Sequence, residues 1–427
     1  MNNVRSIRSY WPALVIGTAI CIYILASLQR LSPPVIALEI MRDLGLTPDN
    51  MSLMFAMTMV SYAIMQPISG FCADRFGPRR CLLVSALLLG LGSILFSQAQ
   101  GLLMGLGTRT LIGMAAGITI LSCMKLAIHW FKPERFGLVN SLIIASAALA
   151  NFAVGRPLAI SVEAIGWRDS FFWLGLVGLG LALVTFLVIQ DHPPRDSGDG
   201  QAPTRDQEKF SFFRSVSIIV RLPQFWLLGL LYGMTDMPYA ILTGLWIGPY
   251  LMEVHGQSEA SVGNMLSISA FGFLIGPPLW MLLAAYWKSL SKVVLLAVVV
   301  NFLLGLFLVF GPADVSVPFL YFFTIVAPMG GQIAGIMFIL AKDLAPPNLS
   351  ASAMGLMNTF PFIFGAAMQK IIGSILAGAE LQSGLSARDS YAMAFKPYLI
   401  YISLGIFLAL WQVRREKREK ASAATKS

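Results

Sequence analysis

The chain has 427 residues, 57% of them hydrophobic and 12% charged, with a mean hydropathy of +0.74. Soluble domains carry about 25% charged residues, so too few charges are present to coat the roughly three soluble domains that this length would otherwise suggest. The net charge of +9 fits either a nucleic-acid surface or basic residues held on one side of a membrane, and a disordered chain or a disulfide-rich secreted module fits poorly.

A helix needs about 20 apolar residues to cross a bilayer. Twelve such runs follow along the chain, at 11–32, 51–72, 81–99, 103–127, 138–161, 170–190, 223–247, 261–285, 292–311, 317–341, 350–376 and 396–412. The runs are continuous rather than alternating, which excludes a porin-type barrel. Arg5 and Arg8 precede the first run as they would in a signal peptide, but the run is too long for one and lacks a small-residue cleavage site.

With the N-terminus placed in the cytoplasm, 21 of the 30 Lys and Arg fall in cytoplasmic segments. Four (Arg42, Arg168, Arg388, Lys396) fall outside, and five (Arg30, Arg109, Lys125, Arg156, Lys370) lie within spans. This bias predicts a multi-pass membrane protein with both termini cytoplasmic, and the expected location is a bacterial inner (plasma) membrane. It also disposes of nucleic acid as a partner.

Cys21, Cys72, Cys81 and Cys123 lie in spans or at their cytoplasmic ends, so no structural disulfide is expected. No cluster has metal-site spacing, His129, His192 and His255 are scattered near helix ends, and no cofactor is expected. There is no Walker-type loop to bind ATP, and no nucleophile–base pair that would make a membrane enzyme.

Residues 191–214, DHPPRDSGDGQAPTRDQEKFSFFR, form the longest polar stretch and divide the runs six and six. The expected organisation is an N-terminal bundle at 1–190, a cytoplasmic linker at 191–222, a C-terminal bundle at 223–412 and a basic tail at 413–427. The two halves echo each other weakly, in WFKPERFGLVN before run 5 and PPNLSASAMGLMN before run 11. Two six-helix halves around a midplane site are the layout of many secondary transporters.

Gly70 to Arg80 reads GFCADRFGPRR. It is similar to the G-x-x-x-D-R-x-G-x-R-R loop of the major facilitator superfamily, matching at Gly70, Asp74, Arg75, Gly77, Arg79 and Arg80. Arg109, Gly113 and Gly117 resemble that family's Arg-plus-glycine pattern on helix 4, WFKPERFG its entry to helix 5, and Gly166-Trp167-Arg168 the start of its helix 6. The resemblance covers the whole chain. It implies an all-α polytopic membrane protein with twelve transmembrane helices in two pseudo-symmetric six-helix bundles. It also implies that the Gly70–Arg80 cluster latches the inner side shut, with Asp74 meeting a helix N-terminus of the other half and the arginines pairing with acids or lipid phosphates. Alternatively, those arginines only enforce topology, and Gly113 and Gly117 only permit close packing. Two features depart from the family pattern. The loop between helices 8 and 9, LAAYWKSLSK, lacks an Asp-Arg pair, so any gate there is built differently. Gly155-Arg156-Pro157-Leu158 does not match the antiporter pattern on helix 5.

Ionisable groups inside spans mark functional sites by default. Asp236 is the only acid near the middle of a span, and Tyr232, Asp236, Tyr239 and Thr243 share one helix face. Asp236 is expected to carry a proton or pair with a buried cation, or else to hold a static hydrogen bond. Tyr23, Ser27 and Arg30 share a face of helix 1. Aligning the entries of helices 1 and 7 places Arg30 within about five residues, roughly 7.5 Å, of the Asp236 level. The planar guanidinium suits carboxylate or phosphate, and an Arg at this depth resembles the anion-binding Arg of the family's organophosphate and organic-anion carriers. The alternative is that Arg30 snorkels to the outer interface. Tyr62 with Gln66, and Asn358 with Phe362, Gly365 and Gln369, form further polar stripes that either touch solute or pack. The expected activity is transport of a small solute, best an organic anion, as a monomer by proton-coupled symport. The alternative is an exporter of drugs, siderophores or metabolites on the same fold.

Overall fold

The computed structural model describes residues 2–193, 212–242, 245–346, 349–380 and 384–424, and among them there are helices and no strand. The first half comprises α1 (Asn2–Leu31), α2 (Pro33–Leu44), α3 (Pro48–Phe76), α4 (Pro78–Ser97), α5 (Leu102–Trp130), α6 (Pro133–Val154) and α7 (Arg156–Val188). The second comprises α8 (Phe212–Val220), α9 (Pro223–Leu242), α10 (Ile247–Glu253), α11 (Glu259–Trp287), α12 (Leu290–Phe310), α13 (Val317–Gly331), α14 (Ala334–Leu344), α15 (Ser350–Met357), α16 (Thr359–Glu380) and α17 (Ala387–Ala424). Prolines open α3, α4 and α6, where the missing N–H would have had no helical partner.

Each of the twelve apolar runs is mainly helical among the described residues. Among the described residues, ten helical segments are long and apolar enough to cross a membrane. One of them, Ala145–Val188, is 44 residues long, far more than one crossing requires. It is broken by a kink at Gly166, whose φ of 78° is open to glycine but strained for other residues. The run that opens at Pro223 is occupied by α9.

Several spans are not single rods. Run 5 is interrupted at Gly155 between α6 and α7, run 10 between α13 and α14, and run 11 at Asn358 between α15 and α16. Broken helices are tolerated at membrane depth only where the freed backbone groups find partners. The Asn301 side chain supplies one at the break after α13, donating from Nδ2 to the Gly330 carbonyl (3.1 Å). The loop after α1 is itself helical: α2 buries Ile36, Ala37 and Ile40 and packs on α7 and α10.

The halves meet chiefly where α3 lies along α16 and where α6 and α7 lie along α11. Small residues set the second contact. A Cβ at Gly155 would stand 2.2 Å from the Ser267 nitrogen, and one at Gly263 2.9 Å from the Ala159 Cβ. Leu183, Phe186, Leu187, Leu282, Ile400 and Phe407 lie exposed on the outside, as side chains that face lipid do.

Candidate functional site

The centre gathers residues from both halves. Arg30, near the end of α1, places its guanidinium 5.1 Å from the centre of the Tyr62 ring of α3 and 5.5 Å from that of Phe362 of α16. The two rings pack at 4.4 Å. Tyr62 is 6% exposed, so Arg30 points into the bundle rather than toward an interface. Gln66 is buried one turn along α3 from Tyr62. From α9, Tyr232 is buried and donates its hydroxyl to Asn358 Oδ1 at 3.4 Å, and its ring meets Phe338 of α14 edge-on. Asp236, one turn further along α9, lies within electrostatic reach of both Arg30 and Tyr232. The structure therefore brings together Arg30, Tyr62, Gln66, Tyr232, Asp236 and Asn358. Ser27 is buried and Tyr23 half-buried on α1. The side chain of Tyr239, and Thr243, lie outside the described residues.

The elements carrying these groups are held from behind by polar brackets that periodicity does not reveal. Asn301 of α12 donates from Nδ2 to the carbonyl of Thr235 (2.8 Å), immediately before Asp236, and its own carbonyl accepts from the Tyr398 hydroxyl (2.6 Å). Arg109 of α5 is fully buried within the first half. Its Nε donates to Thr58 Oγ1 (3.1 Å) and its Nη1 to the Gln29 carbonyl (3.0 Å), next to Arg30, while its guanidinium lies 4.2 Å from the centre of the Phe55 ring. Arg109 and Gly113 therefore belong to the interior of the first half, apart from the Gly70–Arg80 turn. A Cβ at Gly113 would stand 2.1 Å from Ser61 Oγ and 2.3 Å from the Thr58 carbonyl, which is the close packing its small size allows.

The Gly70–Arg80 turn connects α3 to α4. Gly70 is half-buried, Arg75 and Arg80 are exposed, and the side chain of Asp74 lies outside the described residues. The Arg79 backbone N–H donates to Asp191 Oδ1 (2.8 Å) and its Nη2 to the Phe186 carbonyl (2.8 Å). Gly77 has φ 82°, and a Cβ there would stand 2.6 Å from the same Asp191 oxygen. Asp191, which the sequence places in the linker, thus serves as the N-terminal cap of α4. The described contacts of Arg79 stay within its own half.

The equivalent turn of the second half, before α12, is built from other residues. Ser289 Oγ donates to Glu416 Oε2 (2.9 Å), which also accepts from the Ser291 backbone N–H (3.2 Å). In each half, then, a carboxylate from just beyond the sixth span caps the helix of the third. At the opposite face of the molecule, Asp49 at the start of α3 pairs with Lys370 and Ser374 of α16. That pairing joins the halves. Nearby, a Cβ at Gly373 would stand 2.3 Å from Ser52 Oγ.

The family model of the Major Facilitator Superfamily matches residues 17–369. The chain belongs to that superfamily. Its relatives include a hexuronate transporter of Escherichia coli, 23% identical over 98% of this chain and 96% of that one. A probable galactarate/D-glucarate transporter of the same species is 23% identical over 85% and 87%. A probable sulfoacetate transporter of Cupriavidus necator is 28% identical, but over only 43% of each chain. Among solved structures, a bacterial homolog of the human lysosomal transporter Spinster, inward-facing and unoccupied, superposes with a TM-score of 0.75 at 15% identity, covering 95% of this chain and 97% of that one. The nucleoside transporter NupG superposes with a TM-score of 0.72 at 11% identity. These likenesses agree with the fold of that superfamily: an all-helical, multi-pass membrane protein. It is a transporter and not an enzyme.

Proposed function

We propose that this major facilitator protein carries a small organic anion across the bacterial inner membrane by alternating access, in symport with protons and as a monomer, with both termini in the cytoplasm. Arg30 holds the anion, and Tyr23, Ser27, Tyr62, Gln66, Tyr232, Tyr239 and Asn358 surround its body. Asp236 carries the proton. The observation that carries this reading is that Arg30 of the first half, set against the Tyr62 and Phe362 rings, lies within electrostatic reach of Asp236 of the second. A cation and an acid on opposite halves respond directly when the halves rock about a midplane site. The named anionic solutes of the relatives support the solute class.

Coupling requires that anion and proton affinities depend on each other. Asp236→Asn is expected to leave uptake by reconstituted vesicles insensitive to an imposed pH gradient, and unchanged sensitivity returns Asp236 to a structural role. Arg30→Ala removes the charged fork and is expected to weaken anion binding about 10- to 100-fold, from about 1.5–3 kcal/mol. Wild-type affinity in a thermal-shift titration refutes it.

A further inference from the structure

Five bases lie within the spans, and the structure gives four of them other partners or other places. Lys370 is joined to Asp49 at one face of the molecule. Arg156 pairs with Glu163 at 3.1 Å, both about one-third exposed. Arg109 is enclosed by Gln29, Thr58, Phe55 and Phe96 within the first half. Lys125 lies toward the opposite end of α5, where its charge reaches Cys81 and His129. Around Asp236, Arg30 of α1 and Tyr232 of α9 are the groups in electrostatic reach. The elements packed on α9 are α8 and α12 to α17. Their charged residues are placed toward the ends of the spans (Arg214, Lys292, Lys342, Asp343, Glu380, Arg388, Asp389 and Lys396), on the stretch of α17 from Arg414 onward, or, as Lys370, in the Asp49 pair. The other groups gathered there are uncharged: the rings of Tyr62, Phe362 and Phe338, with Gln66 and Asn358.

We propose that the central site accepts a monoanion together with one proton, so that the carrier crosses with a neutral centre both empty and loaded. This rests on the organic-anion reading above. With Asp236 ionised, its charge cancels that of Arg30. Protonation of Asp236 leaves one positive charge, and one monoanion restores zero. A dianion would leave a net negative charge at membrane depth beside aromatic rings, and among the described residues no second cation stands there to balance it. An unbalanced charge in that setting is costly. The relatives do not settle the point, since their names include singly and doubly charged acids. The site therefore discriminates by charge number as well as by shape.

The test titrates the purified full-length protein with three matched pairs: D-gluconate against D-glucarate, isethionate against sulfoacetate, and butyrate against succinate. In whichever pair binds, the monoanion is expected to bind at least tenfold more tightly. Its uptake by vesicles should respond to a pH gradient and not to a potassium–valinomycin potential. Tighter binding of a dianion, or uptake driven by the potential, overturns the charge-number inference while leaving the anion carrier intact. If no pair binds, the anion reading falls and this inference with it.

Discussion

Arg30 is set among aromatic rings, with Tyr62 and Phe362 within 5.1 and 5.5 Å of its guanidinium. Such contacts contribute about 0.5–2 kcal/mol each as water is excluded, and they help to orient the side chain. Behind it, Arg109 grips α1 through the Gln29 carbonyl and α3 through Thr58. Gly113 makes that grip possible. Gly113→Ala would drive a methyl group against Ser61 and the Thr58 carbonyl, and overpacking of this kind costs about 1–3 kcal/mol. A lowered melting temperature in detergent is the expected result, and a wild-type value would contradict the contact. Outside the spans, His255 gives its Nδ1–H to the Ala313 carbonyl (2.8 Å), while its buried Nε2 has no partner. Burial is the main cause that holds its pKa below the ordinary 6.5, and the Arg388 charge adds to it against that hydrogen bond. The folded chain therefore favours neutral His255. Its contribution to stability is complete above pH about 6.5 and is lost as the pH falls. His255→Gln is expected to narrow the difference in melting temperature between neutral and acidic buffer, and an unchanged difference would show that His255 does not contribute.

The helix ends carry much of the polar organisation. Gly77 offers α4 no capping side chain, and Asp191 supplies the acceptor from beyond α7. Glu416, on the extension of α17, does the same for α12 with Ser289. Loss of a side-chain cap costs about 0.5–2 kcal/mol. Asp191→Ala should speed amide exchange in the first turn of α4 and leave that of α12 unchanged, whereas Glu416→Ala should do the reverse. Equal effects of either substitution on both turns would refute separate caps. Asn301 works at a helix break, tying the Thr235 carbonyl of α9 to the Gly330 carbonyl that closes α13. It thereby holds the backbone beside Asp236 in place.

The two bundles are held at one face by the link from Asp49 to Lys370 and Ser374. Both charged partners are about one-third exposed, so screening limits the pair to about 0.2–1 kcal/mol. That is too little to lock the molecule and enough to bias it. Lys370→Ala is expected to shift the balance between conformers open and closed at this face by up to about fivefold, read as increased labelling of a cysteine introduced at Ser52. Unchanged labelling would mean that α3 and α16 are held by packing alone. On the same face, Glu39 of α2 is within electrostatic reach of Glu259 of α11. Burial first, then that neighbour, raises its pKa. Repulsion across the halves therefore grows as the pH rises and Glu39 ionises.

Much of this organisation was legible in the order of residues. Apolar runs of crossing length and the few charges within them follow from composition along the chain, because a bilayer imposes length and charge rules on each span separately. Arg30 and Asp236 stood out for a similar reason, since an ionisable group at that depth is costly wherever the chain places it. Pairings between distant spans were not legible. Lys370 with Asp49, Asp191 with the α4 turn and Glu416 with the α12 turn join positions 112 to 321 residues apart, and no local periodicity encodes them. The breaks at Gly155 and Asn358 were hidden as well, because an apolar run reads the same whether its helix is whole or divided. The sequence by itself determined a twelve-run membrane carrier and the few charges worth testing. The tertiary structure decided which of those charges come near each other, because packing gives four of the five bases within the spans other partners or other places and leaves Arg30 within electrostatic reach of Asp236.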